Sequence, residues 1–295
     1  RLADIQLEIL GKGAMGVGWV ISFPQADRMG GDERFASTLG YAPSVIATFE
    51  DGNQNYPKTT GTVIKGPDVG GLFSTGVKQN FYLYDKIPQG VAIAPTEVDQ
   101  LVRRIPLLLR TPDGWAASFG THVLKSLTEA RTYIITTNEN GVQEIAVRGI
   151  PPVKTDSLGR KWISWVNTEE TNLEEMDVNG KFVFVGVTAN GVMPQIATPV
   201  GLLEPHKIQA ALAESILIQN SPHIPDWSLA LELAIFLTFV ALTWAVLIRF
   251  GIAWGISSAV LLMVCTSFGG YTLIQKGYLI DVTWTLVSQF IVASV

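Results

Sequence analysis

The chain has 295 residues, 47% of them hydrophobic and 16% charged, and a formal net charge of −5 at pH 7. After residue 226 there are four charged side chains, two of each sign, so the negative charge belongs to residues 1–226. An acidic N-terminal part argues against nucleic acid, and against an anionic lipid surface, as its main partner. Cys265 is the single cysteine, which excludes an internal disulfide.

The start of the chain alternates between helical and strand patterns. Leu2, Ile5 and Ile9 recur at helical spacing, and two later apolar runs are typical of buried strands. Alternating helices and strands favour a parallel sheet with helices on its faces. The predicted elements are a helix (2–11), a strand (Val17–Phe23), a helix (32–39) and a strand (Pro43–Phe49).

Gly11, Gly13 and Gly16 have the spacing of a dinucleotide-binding fingerprint. That motif follows a strand and opens a helix, so that the positive end of the helix meets the pyrophosphate. Here it follows a helix and opens a strand. The glycines are therefore predicted to form a turn and not a nucleotide site.

The middle of the chain is predicted to form a long polar loop followed mainly by strands. Glu50–Gly76 is rich in Gly, Asn, Pro and Thr, and a loop of this length is usually functional or mobile. Asn140-Gly141 suits the turn of a hairpin. The predicted elements after the loop are strands at Phe81–Asp85, Gly90–Ala94, Leu101–Leu109 and Lys161–Val166, an amphipathic helix at Trp115–Ala130, and hairpin strands on either side of Asn138–Gly141.

Two adjacent arginines lie on one predicted strand. Arg103 and Arg104 would point to opposite faces, so one of them could line a ligand pocket. The alternative is a local ion pair with Glu97 or Asp99, which is the commoner situation for an arginine next to carboxylates. Arg103, Arg104 and Asp99 are kept as candidate ligand-binding residues.

Lys181–Val187 has the strongest strand pattern in the chain, and its continuous apolar run is typical of a central parallel strand. Ligands of open parallel sheets bind at the carboxyl ends of the strands. The loop that leaves this strand, Thr188–Glu204, is therefore the best-placed pocket element, and Thr188 is the fourth candidate binding residue. A helix is predicted over 205–219, and Pro222 and Pro225 separate it from the apolar tail.

Residues 227–295 are predicted to be an all-α bundle of three membrane spans. About 20 mostly apolar residues cross a bilayer as a helix, and aromatic side chains near the ends favour the interface. An odd number of spans would place the N-terminal part and the C-terminus on opposite sides of the membrane. The predicted spans are Trp227–Ile248, Gly251–Ile274 and Tyr278–Val295.

The sequence carries no recognisable catalytic or metal-binding motif. G-x-S-x-G, H-E-x-x-H, the Walker loop and C-x-x-C are all missing, and His122, His206 and His223 are scattered. We therefore predict no catalytic residue, no metal and no cofactor in this chain. No signal peptide is visible and the chain opens at Arg1, so we expect a further segment to precede it.

Several stretches follow a pattern found in one receptor family. They are Gly13–Phe23 with Pro24–Arg28, Glu97–Leu107, Asn179–Val187 with Thr188–Pro199, and Pro205–Leu217 ahead of the apolar tail. In this order they resemble the second class of CHASE domains, the cyclase/histidine-kinase-associated sensory extracellular modules of bacterial receptors. The resemblance implies an extracytoplasmic α/β sensor at residues 1–226, three spans in the bacterial inner membrane, and a cytoplasmic effector. That effector is often a nucleotide cyclase, otherwise a histidine kinase, a Ser/Thr kinase or a diguanylate cyclase.

Some polar landmarks of that family are replaced. Val20 stands where the family usually has Asp, Pro194 stands at another Asp position, and Asp99-Gln100 replaces Asp-Gly before the arginine pair. Near the last helix of the sensor, His206 and Gln209 stand where Gly and His are expected. The chain is then either a divergent sensor or a domain that has lost its ligand and serves as a scaffold.

The first hypothesis is a sensory input module that responds to an unknown small molecule or protein. The second is a dimerisation or scaffold subunit of a membrane complex, and a third, least favoured, is part of a membrane enzyme or transporter. Because cyclases and kinases act as dimers, the resemblance implies a homodimer or a heterodimer. Small residues in the second span, Ser257, Ser258, Gly269 and Gly270, suit close helix packing.

Overall fold

A computed structural model describes the chain except for residues 53–54, 129, 166–169, 176, 190–192, 220–221, 226 and 295, and the side chains of 292–294. The chain forms two compact units, an N-terminal unit (Arg1–Ser221) and a C-terminal unit (Pro222–Val295). The first is α/β with mixed sheets and flanking helices, and the second is helical. This is the predicted fold class.

The N-terminal unit contains helices, strands and one 3-10 helix. In chain order they are α1 (Leu2–Gly11), β1 (Gly16–Trp19), α2 (Asp32–Leu39), β2 (Ser44–Thr48), β3 (Gly61–Lys65), β4 (Leu72–Phe73), a 3-10 helix (Tyr82–Tyr84), β5 (Gln89–Val91), β6 (Arg104–Pro106), β7 (Leu108–Thr111), β8 (Gly114–Ala117), α3 (Phe119–Leu127), β9 (Thr132–Asn138), β10 (Gly141–Val147), β11 (Ile150–Lys154), β12 (Arg160–Trp162), β13 (Phe182–Val185), β14 (Ile196–Thr198), β15 (Gly201–Leu203) and α4 (Pro205–Ile218).

A parallel four-stranded sheet with the order β13-β1-β2-β5 has helices on both faces. Successive side chains of β1 point to opposite faces. Val17 and Trp19 pack in one cluster with Ile9 of α1 and Phe35 of α2. Val20, just after β1, packs in another cluster around Phe119 of α3. Helices α1 and α2 therefore cover one face, and α3 covers the other.

The remaining strands form a mixed sheet, β11-β10-β9-β3, a three-stranded sheet, β4-β7-β8, and two antiparallel pairs, β12-β6 and β14-β15. The predicted hairpin is confirmed as β9 and β10. Its Gly141 has φ +126°, and a Cβ there would also collide with the carbonyl oxygen of Ser157. The turn thus requires glycine for both backbone conformation and space.

The predicted loop over Glu50–Gly76 is wrong in part, because β3 and β4 lie within it. β3 pairs in parallel with β9 from Gly61↔Thr132 to Lys65↔Thr136. β3 is the edge strand of this sheet, and its residues alternate between exposed and half-buried. Its strand conformation comes from this non-local pairing, which local composition does not reveal.

The strand predicted over Leu101–Leu109 is two strands, β6 and β7, with a break at Leu107. The Leu107 amide donates to the Gly159 carbonyl, and the Leu107 carbonyl accepts from the Ser118 amide. β6 pairs with β12, whereas β7 pairs with β4 and β8. The chain changes partner sheet at Leu107, so one continuous strand is not possible.

Three further predictions are corrected by the structure. Phe81–Asp85 was predicted as a strand, but it contains a 3-10 helix whose Tyr84 hydroxyl donates to Asp32 Oδ1 at 2.6 Å. The helix predicted over Trp115–Ala130 is β8 followed by α3, because the turn at Gly114 folds β8 back on β7. β13 is also an edge strand and not a central one within the described part of the chain.

The C-terminal unit consists of helices α5 (Ser228–Phe250), α6 (Ile252–Gln275) and α7 (Thr283–Ser294). α5 and α6 are long and apolar enough to cross a membrane. In the most apolar 18-residue stretch of each helix, 6% of α5 and 17% of α6 is buried within the structure. Thr243 of α5 donates to Gln289 Oε1 of α7 at 2.8 Å, and both side chains are buried. The third predicted span stays a prediction, because α7 begins at Thr283 and has 12 residues, fewer than a helix needs to cross a bilayer.

Candidate functional site

A large groove runs along the outer edge of β13 in the N-terminal unit, with a cavity volume of about 1060 Å³. β13 pairs with β1 on one side, and among the described residues no strand pairs with its other side. Phe182, Val183, Phe184 and Val185 are all half-buried and all line the groove. The groove therefore has the edge of a strand as its floor.

The two long walls of the groove come from opposite faces of the sheet. Ile5 and Ile9 of α1 line one side, and Ala210 and Ala211 of α4 line the other. The β13 side chains divide in the same way: Val183 and Val185 pack with the cluster around α1. Phe182 and Phe184 pack with the cluster around Phe119, and their rings lie 5.5 Å apart.

His206 lies in the first turn of α4 and lines the groove at the end of β13. Its ring packs so closely on Gly186 that a Cβ at that position would overlap the imidazole. Burial lowers the pKa of His206 below its usual value. This favours the neutral imidazole at neutral pH, in which one ring nitrogen donates a hydrogen bond and the other accepts one.

Beside His206, Lys207 is held by two carboxylates. Its Nζ lies 3.0 Å from Glu170 Oε2 and 3.1 Å from Glu204 Oε2, and Glu204 also accepts from Gln195 at 3.0 Å. Hydrogen bonding to Glu170 raises the pKa of Lys207. The ammonium is neutralised by its neighbours, so it does not by itself select an anionic ligand.

Of the four predicted binding residues, Thr188 lines the groove and the other three do not. Thr188 is exposed just after the end of β13, where a parallel sheet presents its ligand-binding edge. The loop predicted to follow it, Thr188–Glu204, includes the hairpin β14-β15, and residues 190–192 lie outside the described residues.

Arg103 and Arg104 are both engaged by carboxylates. Arg103 forms a two-pronged pair with Asp99, at 2.8 and 2.6 Å, and this bonding lowers the pKa of Asp99 to about 2. Arg104 binds Glu97 through two contacts of 2.6 Å and Asp156 at 3.0 Å. The local ion pairing considered as the alternative is what the structure contains. Arg103, Arg104 and Asp99 are therefore treated below as residues that stabilise the fold.

The Arg104 pair is the centre of a larger network, which we name the Arg104 cluster: Glu97, Arg104, Asp156, Arg160 and Trp162. Arg160 Nε donates to Asp156 Oδ2 at 2.8 Å, and the Arg104 guanidinium lies 5.1 Å from the centre of the Trp162 ring. Side-chain exposure in the Arg104–Glu97 and Arg104–Asp156 pairs is 17–21%. The cluster fastens β6 to the turn that precedes β12.

The residue that ties α4 to the rest of the unit is Gln209, which sequence reasoning noted only as a departure from the family pattern. Its Oε1 accepts from the Gly120 amide at 3.1 Å, and its Nε2 donates to the Ile93 carbonyl at 2.9 Å. It is 1% exposed. In the sequence, the signal for this link between α4 and the rest of the unit is a polar amide, Gln209, within the helix predicted over 205–219.

Metal binding has no support in the described ranges, where no three His, Cys, Asp or Glu side chains come together. His122, predicted to be an ordinary helix residue, lies in α3. Burial lowers its pKa to about 4, and its Nδ1 has no hydrogen-bond partner among the described residues. Its single imidazole offers one ligand where a metal site needs three or four.

The chain was compared with protein families, with proteins of curated function and with solved structures. The CHASE2 domain family matches residues 2–247, which includes the N-terminal unit and most of α5. No curated protein matches the chain. No solved structure matches it either. The family match covers far more than half of the 295 residues, and it agrees with the α/β architecture and the apolar helices that follow. The chain belongs to the CHASE2 domain family, whose members are extracellular sensory domains of signalling receptors.

Proposed function

We propose that this chain is the extracytoplasmic sensory and transmembrane part of a bacterial receptor that controls a cytoplasmic effector, most simply a nucleotide cyclase. The N-terminal unit binds its ligand in the β13 groove, and α5, α6 and the segment that contains α7 cross the inner membrane. The observation that carries the proposal is that α4 forms one wall of the groove and is also the last helix before α5 along the chain.

The groove offers a direct physical route from ligand to helix. A ligand that touches His206 and Ala210 contacts α4 itself, and Gln209 links the same helix turn to Gly120 and Ile93. A ligand shifts a conformational equilibrium only by its difference in affinity for the two states. Because α4 forms one wall of the site, a ligand has a different affinity for each of two states in which the position of α4 differs.

Effector output in membranes that contain the full receptor tests this assignment. Thr188→Trp places a large side chain in the groove, and we expect it to change cyclase output several-fold in either direction. Thr59→Trp makes the same change at an exposed position that does not line the groove, and output should stay at the wild-type level. Equal outputs for the two variants and the wild type would contradict a sensory role for the groove.

The reading frame after Val295 tests the effector itself. A nucleotide cyclase or kinase domain in frame supports a receptor within one polypeptide, whereas a stop codon at that point would sink that form of the proposal.

A second candidate function is a scaffold or dimerisation subunit without a small-molecule ligand. It is favoured by one observation: the two arginines predicted as ligand contacts, Arg103 and Arg104, are already paired with carboxylates of the same chain. This function predicts that Thr188→Trp leaves output unchanged while a partner subunit still co-purifies in fixed ratio.

A further inference from the structure

On the side of β13 that faces away from β1, backbone N–H and C=O groups point into the groove. The Lys181 carbonyl accepts from Met15, and the Val185 carbonyl accepts from Val20, so both point toward β1. Residues in between alternate in direction along a strand. Phe182 and Phe184 therefore turn their N–H and C=O groups away from β1, toward the groove that they line.

We infer that the ligand of the groove is an extended segment of a partner polypeptide, which pairs with β13 as a fifth strand of the parallel sheet. This inference rests on the proposed sensory function and names the class of its ligand. Strand addition to an exposed sheet edge takes affinity from backbone hydrogen bonds and specificity from side-chain pockets on the two faces. The groove has both: a strand edge as its floor and a wall on each face.

The walls define the side chains that such a segment carries. On one face it meets Ile5 of α1, and on the other it meets His206 and Lys207 of α4, which are partly exposed. Since β13 presents half-buried apolar side chains on both faces, a strand beside it needs a continuous apolar run and not an alternating one.

A second copy of this chain fits the groove poorly. To present its own β13, the copy would bring along its α1 and α4, which wall that strand on both faces. The β13 strands of two copies cannot pair with each other, because in each copy β13 lies between α1 and α4. A single extended segment without flanking helices has no such conflict.

The charge at the groove points to basic flanks on the segment. Lys207 is already neutralised by Glu170 and Glu204. Of the other charged residues that line the groove, Glu175 and Asp177 are exposed carboxylates and Lys181 is the one cation among the described residues. The net charge of these groove residues is therefore negative, which favours lysine or arginine beside the apolar run of the segment.

The test uses the full chain in lipid nanodiscs and a fluorescent peptide, Lys-Val-Leu-Val-Leu-Val-Lys. A second peptide has the same side chains but N-methyl groups on every backbone amide, which removes its backbone N–H donors and leaves the lysine ammonium groups. We expect the methylated peptide to bind about tenfold more weakly or worse, because apolar contact alone does not replace strand pairing. Equal affinity of the two peptides, or no binding by the first, would overturn the inference.

Two protein variants refine the test. Glu175→Lys should weaken binding of the basic peptide several-fold at low salt, while Glu33→Lys, the same change at an exposed position of α2 outside the groove, should not. Circular dichroism of both variants checks that the fold is kept. An equal effect of the two would overturn the charge argument.

Effector output in membranes that contain the full receptor, with and without the peptide, separates this inference from the proposed function. If no peptide binds but Thr188→Trp still changes output, the receptor function stands and the ligand class is wrong. If the peptide binds with the expected dependence on its backbone amides, but neither peptide nor Thr188→Trp changes output, strand addition stands and the sensory function fails.

Discussion

Buried polar side chains of the N-terminal unit join elements that are far apart in the chain. Gln6 in α1 is fully buried, accepts from Trp19 Nε1 at 2.8 Å and donates to Ser44 at 3.1 Å, which connects α1 to β1 and β2. Gln209 makes the corresponding connection for α4. Each amide satisfies groups that would otherwise be buried without a partner, so each should matter more for stability than its exposed counterparts.

Gln209→Leu should lower the free energy of unfolding by about 2–4 kcal/mol, because the Gly120 amide and the Ile93 carbonyl lose their partners inside the unit. Chemical denaturation followed by circular dichroism measures this. Gln79→Leu is the matched control: its amide donates to the Tyr56 carbonyl at the exposed surface, and a change within about 0.5 kcal/mol is expected. Similar losses for both variants would show that Gln209 is not a structural bridge.

Arg104→Met should be destabilising by about 1–2 kcal/mol at pH 7, since Glu97 and Asp156 would lose their shared cation at a partly screened site. Arg103→Met, the neighbouring control, should change stability much less because its partner Asp99 is exposed.

The effect of Arg104→Met should also depend on pH. Hydrogen bonding to Arg104 lowers the pKa of Glu97 below the ordinary 4.5. A lowered carboxyl pKa contributes stability that is complete above the unfolded-state value and is lost as pH falls through the folded-state value. The stability difference between wild type and Arg104→Met should therefore shrink below about pH 4.5, as measured by urea unfolding at several pH values. A difference that stays constant down to pH 3 would exclude this ion pair as the cause.

The turn before the arginine pair explains one departure from the family pattern. Gln100 has φ +64°, a left-handed conformation that glycine adopts without strain and that other residues rarely adopt. The family usually has Asp-Gly at this point, and here the second position is Gln100. Gln100 therefore has the backbone conformation that suits the glycine expected at this position from the resemblance.

Gln100→Gly should therefore raise the free energy of unfolding by about 0.5–1 kcal/mol, because relief of left-handed strain exceeds the added freedom of the unfolded chain. Thermal unfolding monitors the change. Thr96→Gly, in the same loop but with no left-handed backbone, is the control and should be neutral or destabilising. Destabilisation by Gln100→Gly would mean that the Gln100 side chain itself holds the turn.

Among the elements, those with a strong local pattern were predictable and those formed by partner strands were not. α1, α2, β2 and the β9-β10 hairpin follow from periodicity and turn residues. β8 was taken as helix because Trp115–Ala117 has no strand alternation, and its strand pairing depends on the return turn at Gly114, with φ +140°. The position of β13 at an edge was also not predictable, since an apolar run does not show how many neighbours the strand has.

Of the four residues predicted to bind a ligand, Thr188 lines the candidate groove and the other three do not, and ligand binding by any of them stays a prediction. Thr188 was found by the rule that ligands bind beyond the carboxyl ends of parallel strands, and it lines the groove. The three polar residues of the arginine segment were chosen by charge, and charge alone does not distinguish a ligand-binding arginine from one paired within the fold. The walls of the groove, α1 and α4, come from opposite ends of the N-terminal unit and require the three-dimensional structure.

At the scale of the whole molecule, the main question is orientation in the membrane. With the N-terminal unit outside, α5 crossing inward and α6 outward, Arg249 lies inside and Lys276 outside. Single cysteines placed by Glu139→Cys, Arg249→Cys and Lys276→Cys in a Cys265→Ser background test this with a membrane-impermeant maleimide. In intact cells we expect labelling at 139 and 276 only, and labelling at 249 only after permeabilisation. A chain in which 249 and 276 label together would exclude α5 and α6 as two separate spans.

The strand order β13-β1-β2-β5 also governs when the parallel sheet can form during synthesis. β1 emerges near the start of the chain, but the strand that covers its outer side emerges only at Phe182–Val185. Until then one edge of β1, the strand that carries Val17 and Trp19, has no partner strand and can pair with strands of other chains. Sheets with such long-range contacts form slowly and expose apolar surface while they do so. Production of this protein should therefore depend on holding chaperones in the compartment where its N-terminal unit folds, and fragments that end before residue 181 should aggregate.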